Sequence, residues 1–213
     1  MQYKNAHLGG STVMKYVFIH GATASNRSFA YLDRELQAKD AIYLEYDKDS
    51  TAKDNLKKMC SSLEQYDDNF YYVCHSLGGI YGIYLQNEFK IASKGAISLA
   101  TPFNGSDLAI WGAMMMPSHQ LFHDITPRSD FISSSREIDI SIPWTQVVST
   151  GGGVPWILED NDGVVTRKSM TCRDDIDYIE VERNHYEILL SRQVVTIIKK
   201  HTKNTHTKGK KYV

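Results

Sequence analysis

Apolar, β-branched and aromatic residues gather in short runs near Lys15 to His20, Ala41 to Tyr46, Phe70 to Cys74, Gly95 to Ala100, Trp144 to Ser149 and Asp177 to Val181. Each run reads as a strand. Between them the apolar spacing becomes helical, over Phe29 to Ala38, over Thr51 to Tyr66 and roughly over Ile80 to Phe89. In the second of these, Leu56, Met59, Cys60 and Leu63 fall on one face suited to burial, so the stripe belongs to the core. Strands alternating with helices predict an α/β fold with a mainly parallel sheet of about six strands, covered by helices on both faces through right-handed crossovers. The loops that follow the strands then share one rim. The alternation breaks at Gly105 to Ile142, where Trp111, Met114, Met115, Met116, Leu121 and Phe122 form either an adaptable apolar wall over a site or a buried connecting helix.

Candidate chemistry begins at FYYVCHSLGGI, Phe70 to Ile80, where an apolar strand runs directly into a serine flanked by small residues. A serine at a sharp strand-to-helix turn projects its hydroxyl above the sheet edge, in a backbone so crowded that its neighbours must be small. Gly78 and Gly79 meet that demand, and Ser76 is the candidate nucleophile. Cys74 stands where a glycine is usual, two residues before the serine, and its small side chain makes the crowding tolerable. A serine turn that only joins a strand to a helix is the plainer alternative.

Two further segments support the chemical reading. KYVFIHGAT, Lys15 to Thr23, is a strand ending in His-Gly, and the Ala22 N–H could pair with the Leu77 N–H to hold an oxyanion. Well after Ser76 come NDGVV, Asn161 to Val165, and ERNHYEILL, Glu182 to Leu190. Nucleophile, acid and base thus follow the order Ser76, Asp162, His185.

With these segments in view, the chain resembles the small lipases and esterases of the α/β-hydrolase superfamily, similar to bacterial triacylglycerol lipases. The resemblance is carried by HGATASN at His20, CHSLGG at Cys74, ATPFNGS at Ala100, DITPRSDF at Asp124, NDGVV and NHYEILL, in the order of that superfamily. It implies a triad of Ser76, Asp162 and His185 with Ala22 and Leu77 as oxyanion donors. His-Gly lies so near the N-terminus that a compact version of the fold is expected.

Other residues compete for these roles. His20 and His75 adjoin turns too constrained to bring their rings onto Ser76, and are expected to support loops. Asp124, Asp130 and Asp160 rival Asp162, which ranks first because Asn161 and Gly163 favour a tight turn. Gly151, Gly152 and Gly153 leave the path of that loop open. Thr101, Phe103, Trp111, Met115, Trp156 and Ile157 are expected in an apolar substrate wall. The chemistry these residues suit is hydrolysis of a lipid or other acyl ester through an acyl-enzyme, requiring no metal and no organic cofactor. Acyl transfer or thioester cleavage would use the same groups, and a hydrolase-like binding protein without turnover is the reading from another class.

Composition narrows the rest. A chain of 213 residues, 42% hydrophobic, can bury the core of one domain. A net charge of −1 gives no overall attraction to nucleic acid, and no apolar stretch of about 18 residues suggests a membrane span. Cys60, Cys74 and Cys172 are odd in number and lack metal-site spacing, so free thiols are expected. Residues 1–13 have no apolar core of a signal peptide and read as an N-terminal extension, 14–200 as the hydrolase domain and 201–213 as a basic tail. A cytoplasmic location is the corresponding expectation.

Overall fold

The computed structural model describes residues 14–22, 24–106, 119–154 and 159–208. The six apolar runs become strands β1 (Met14–Ile19), β2 (Ile42–Leu44), β3 (Asn69–His75), β4 (Ser93–Leu99), β5 (Trp144–Ser149) and β6 (Asp177–Val181). They form one sheet in the order β2-β1-β3-β4-β5-β6, and every pairing is parallel. The carboxyl ends of the strands therefore all open on one rim.

The two-residue period of a strand sorts its side chains between two cores. Val17, Ile19, Phe70, Tyr72, Cys74 and Trp144 turn to one face, whereas Phe18, Tyr71, Val73, Ile97, Leu99 and Val147 turn to the other. On the first face pack α2 (Ala52–Leu63) through Met59 and Leu63, α3 (Leu77–Glu88) through Ile80 and Ile83, α4 (Gln120–Asp124) through Leu121 and α5 (Asp130–Arg136) through Ile132. On the second pack α1 (Ala30–Leu36), through Leu32 and Leu36, and the helix that begins at Arg192, through Val194, Val195 and Ile198. Both faces of a parallel sheet are thus covered, as its near-continuous apolar strands require.

Local chemistry sets the helix ends. Thr51 caps α2, its hydroxyl accepting from the Asp54 N–H at 3.1 Å, and the Asp124 carboxylate accepts from the Ala52 N–H at 2.6 Å. Both groups satisfy N–H donors that a helix start leaves unpaired. α3 is apolar on nearly every side and almost wholly buried, as suits a helix packed between the sheet and other helices. It starts at Leu77, immediately after the serine, and not near Ile80 as the sequence suggests. Gly78 and Gly79 are poor helix formers, but at this first turn they are retained for close packing.

Cys74 is accommodated from across the α3 interface. A Cβ on Gly82 would lie 3.0 Å from the Cys74 sulfur and 3.1 Å from the Trp144 ring, so the glycine supplies the room that the cysteine takes. Cys60, Cys74 and Cys172 are free thiols.

Two further α-helices follow β5 and β6, the short α6 (Arg167–Met170) and the long α7 (Arg192–Lys208). α7 extends beyond Lys200 into the segment expected to be a tail, because Thr202 is buried and accepts a hydrogen bond from the Tyr16 hydroxyl at 3.2 Å. Among the described residues, no helix is long and apolar enough to cross a membrane.

Candidate active site

Ser76 occupies the single residue between β3 and α3, with φ 52° and ψ −126°. A non-glycine residue held there costs about 1 to 3 kcal/mol and persists only when its surroundings over-determine it. They do. The Ser76 N–H donates to the Leu99 carbonyl at 2.9 Å, and the Ser76 carbonyl accepts from the Thr101 hydroxyl at 2.9 Å and the Gly79 N–H at 3.0 Å. A Cβ on Gly78 would fall 2.0 Å from the Ile19 carbonyl oxygen, and one on Gly79 would fall 2.1 Å from the Thr101 hydroxyl. The missing side chains let the first turn of α3 press against the ends of β1 and β4.

Asp162 and His185 approach from the loops after β5 and β6. These loops are fastened together by the Thr150 N–H to the Val181 carbonyl at 3.1 Å and the Gly151 N–H to the Arg183 carbonyl at 2.9 Å. Gly152, at φ 91°, turns the β5 loop where a Cβ would sit 2.7 Å from that of Asn184. The glycine run therefore serves a close approach of two loops.

The Asp162 carboxylate is almost fully enclosed by donors. Oδ1 accepts from the Val164 and Val165 N–H groups at 3.0 and 2.8 Å, and Oδ2 accepts from the Ser149 hydroxyl and, at 2.8 Å, from His185 Nδ1. Burial alone would raise its pKa, but the hydrogen bond and charge of His185, with the Ser149 and Val165 donors, outweigh that and hold it below 3.8. An ionised carboxylate only accepts, so His185 Nδ1 carries the proton in this bond. The His185 N–H also donates to the Asp162 carbonyl at 3.1 Å, fixing backbone as well as side chain.

Ser76 and His185 line one cavity of about 160 Å³, with Ala22 and Leu77 beside them. Leu77 opens α3, so its N–H lies at the positive end of a helix. The loop before Ala22 is braced by Tyr46, whose hydroxyl donates to the His20 carbonyl at 2.9 Å and whose ring stacks on the His20 imidazole with centroids 4.3 Å apart. His75 is buried against His185, its Nε2 2.8 Å from the His185 carbonyl. Both histidines support loops. Burial lowers the pKa of His20, and burial together with the neighbouring His185 pushes that of His75 down to about 3.

The rest of the wall meets expectation at Phe122 and differs from it elsewhere. Phe122 and Ile125 from the α4 region and Val164 and Val165 from the loop bearing Asp162 line the cavity. Thr101 and Phe103 do not. Thr101 is wholly buried beneath the Ser76 turn, and Phe103 is buried in the hydrophobic core, as is Leu121. Trp111, Met115, Trp156 and Ile157 lie outside the described residues. Of the rival acids, Asp124 caps α2, while Asp130 and Asp160 are exposed. Ser149, which sequence reasoning passes over, is the last residue of β5 and points at the carboxylate. Among the described residues, no three His, Cys, Asp or Glu side chains converge to hold a metal ion.

No protein-family model and no curated protein matches the chain. Solved structures do. The mature lipase BlEst2 of Bacillus licheniformis is 17% identical with a TM-score of 0.70, over 88% of this chain and 91% of that one. A structure from the metagenome-derived lipolytic enzymes LipS and LipT is 14% identical with a TM-score of 0.65, over 93% of this chain and 95% of that one. The Legionella pneumophila phospholipase PlaB is 16% identical with a TM-score of 0.62, over 74% of this chain but only 44% of that one. At these identities the likeness is one of architecture, and the architecture is the α/β-hydrolase fold that bacterial lipases and esterases share.

Proposed function

We propose that the protein is a serine esterase that hydrolyses carboxylic esters, of lipids or other acyl groups, through an acyl-enzyme intermediate. The observation that carries the proposal is the 2.8 Å bond from His185 Nδ1 to a buried Asp162 carboxylate, with that imidazole and Ser76 lining the same cavity. The names of the structural neighbours, lipases and a phospholipase, are consistent with a lipid-derived ester. The apolar wall of Phe122, Ile125, Val164 and Val165 suits an acyl chain.

In the proposed reaction His185 Nε2 takes the Ser76 proton as the hydroxyl oxygen bonds to the ester carbonyl carbon. The negative oxygen that results rests on the Ala22 and Leu77 N–H groups, where removal of one such donor costs roughly 100 to 1,000-fold in turnover. The carbon–alkoxy bond then breaks and His185 passes the proton to the departing alcohol. Water repeats the sequence on the acyl-enzyme, returning the serine and releasing the acid. Asp162 keeps the imidazole in the required tautomer and balances its charge while it holds the proton.

Purified protein is expected to cleave activated short and medium acyl esters and to be labelled by a fluorophosphonate probe. Ser76→Ala should lose at least about 1,000-fold in kcat and all labelling while melting as a folded protein. Turnover in Ser76→Ala comparable to that of the wild type would dismiss the serine mechanism.

A further inference from the structure

We infer that His75 is a positioning residue, whose imidazole is wedged between the loop bearing Ala22 and the loop bearing His185 and holds the base over Ser76 through a hydrogen bond from Nε2 to the His185 carbonyl. The inference rests on the serine-esterase reading and deepens it.

The contacts are short and buried on every side. His75 is 1% exposed, and its Nε2 lies 2.8 Å from the His185 carbonyl oxygen. A carbonyl only accepts, so that nitrogen carries the proton. At the other ring nitrogen, a Cβ added to Gly21 would sit 2.9 Å from Nδ1, so the ring abuts the backbone just before Ala22. The rings of His75 and His185 lie 4.9 Å apart. One side chain, directly preceding Ser76, thus meets both loops that the reaction requires.

A packing role alone does not account for a histidine here. With Nε2 protonated and the ring neutral, Nδ1 presents a lone pair that is buried and meets no hydrogen-bond partner among the described residues. An unsatisfied buried acceptor costs about 1 to 3 kcal/mol, which an apolar side chain of similar size would avoid. The compensating feature is the one bond that Nε2 makes, and it reaches the backbone of the candidate base. Neutrality matters as well: a charged ring at this distance would repel the His185 imidazolium as it forms, and burial keeps His75 uncharged.

The test compares His75→Phe, which fills the space without the donor, with His75→Gln, whose amide can reach the same carbonyl. Loss of the hydrogen bond should lower kcat by roughly 10 to 100-fold, since small misplacements of a base are costly, while KM changes by less than about twofold. His75→Gln should recover most of that loss. Unaltered kcat in folded His75→Phe, or equal impairment of both variants, would overturn the inference. A measurement on the wild type guards against variants that fail to fold: the ring nitrogen shifts of His75 should report a neutral ring protonated on Nε2 at neutral pH. A proton on Nδ1, or a charged ring, would refute the assignment outright. The wild type and Ser76→Ala, assayed on the same ester, keep the two ideas apart. An inactive wild type or an active Ser76→Ala removes the esterase reading, whereas an active enzyme indifferent to His75→Phe removes only the positioning role.

Discussion

Asp162 shows how much of a buried carboxylate's behaviour is set by its donors. Two backbone N–H groups, a serine hydroxyl and an imidazole converge on its two oxygens, and together they overcome the penalty of burial. A carboxylate whose folded pKa is depressed stabilises the fold above its unfolded value, near 3.8, and that contribution disappears as pH falls through the lower folded value. Wild-type stability, followed by urea unfolding, should therefore drop more steeply below about pH 4 than that of Asp162→Asn, which has no such proton to bind. The same variant should lose on the order of 10,000-fold in kcat, because an amide favours the wrong imidazole tautomer. An acid limb equally steep in both proteins would show that other carboxylates govern it. The candidates Ser76, Asp162 and His185 stand out in the sequence because each sits in a short string with its own steric or turn requirement. Ser149 does not, and His75 reads there only as a loop support, because their partners are remote in the chain and no local pattern links a strand-end serine to an aspartate 13 residues on, or a histidine to a carbonyl 110 residues away.

Among the elements, the contact between β3 and α3 carries the one departure from the usual nucleophile motif. Cys74 and Gly82 are complementary, a sulfur on the strand opposite a bare position on the helix. Gly82→Ala improves helix propensity by about 1 kcal/mol, yet it forces its methyl group onto Cys74 and Trp144, where overpacking costs roughly 1 to 3 kcal/mol. Net destabilisation is expected. In a Cys74→Ala background that cost should shrink by at least about 0.5 kcal/mol, measured as a coupling energy in a double-mutant cycle. Additive effects would show that the two sites do not share their space. The strands were readable because apolar runs in a sheet buried on both faces are continuous. Helix ends were less so: the α3 start depends on packing at Gly78 and Gly79, and α7 continues to Lys208 where its composition had suggested a loose tail.

For the molecule as a whole, an all-parallel sheet brings the β1, β3, β5 and β6 loops to one rim, and this convergence makes the cavity. Its wall includes Phe122 and Ile125, contributed by the stretch where the regular alternation of strands and helices lapses. Phe122→Ala should lengthen the space available to an acyl chain and raise the ratio of kcat/KM for an ester two carbons longer than the preferred one by roughly 10-fold. A chain-length series of chromogenic esters measures it, and an unmoved profile would take Phe122 off the acyl path. The sequence names the rim, and Phe122 among its candidate apolar residues, but not Ile125, Val164 or Val165. Thr101 and Phe103 follow a strand as wall residues would, yet close packing beneath the Ser76 turn and in the core takes both inward.

The order of the sheet also has a bearing on biosynthesis. From β3 to β6 each new strand adds to the outer edge of the one before it, and Asp162 and His185, the proposed acid and base, arrive only with the loops after the last two. Under the proposed mechanism, a nascent chain on the ribosome that already presents its serine would stay chemically inert until the sheet's final edge emerges and docks.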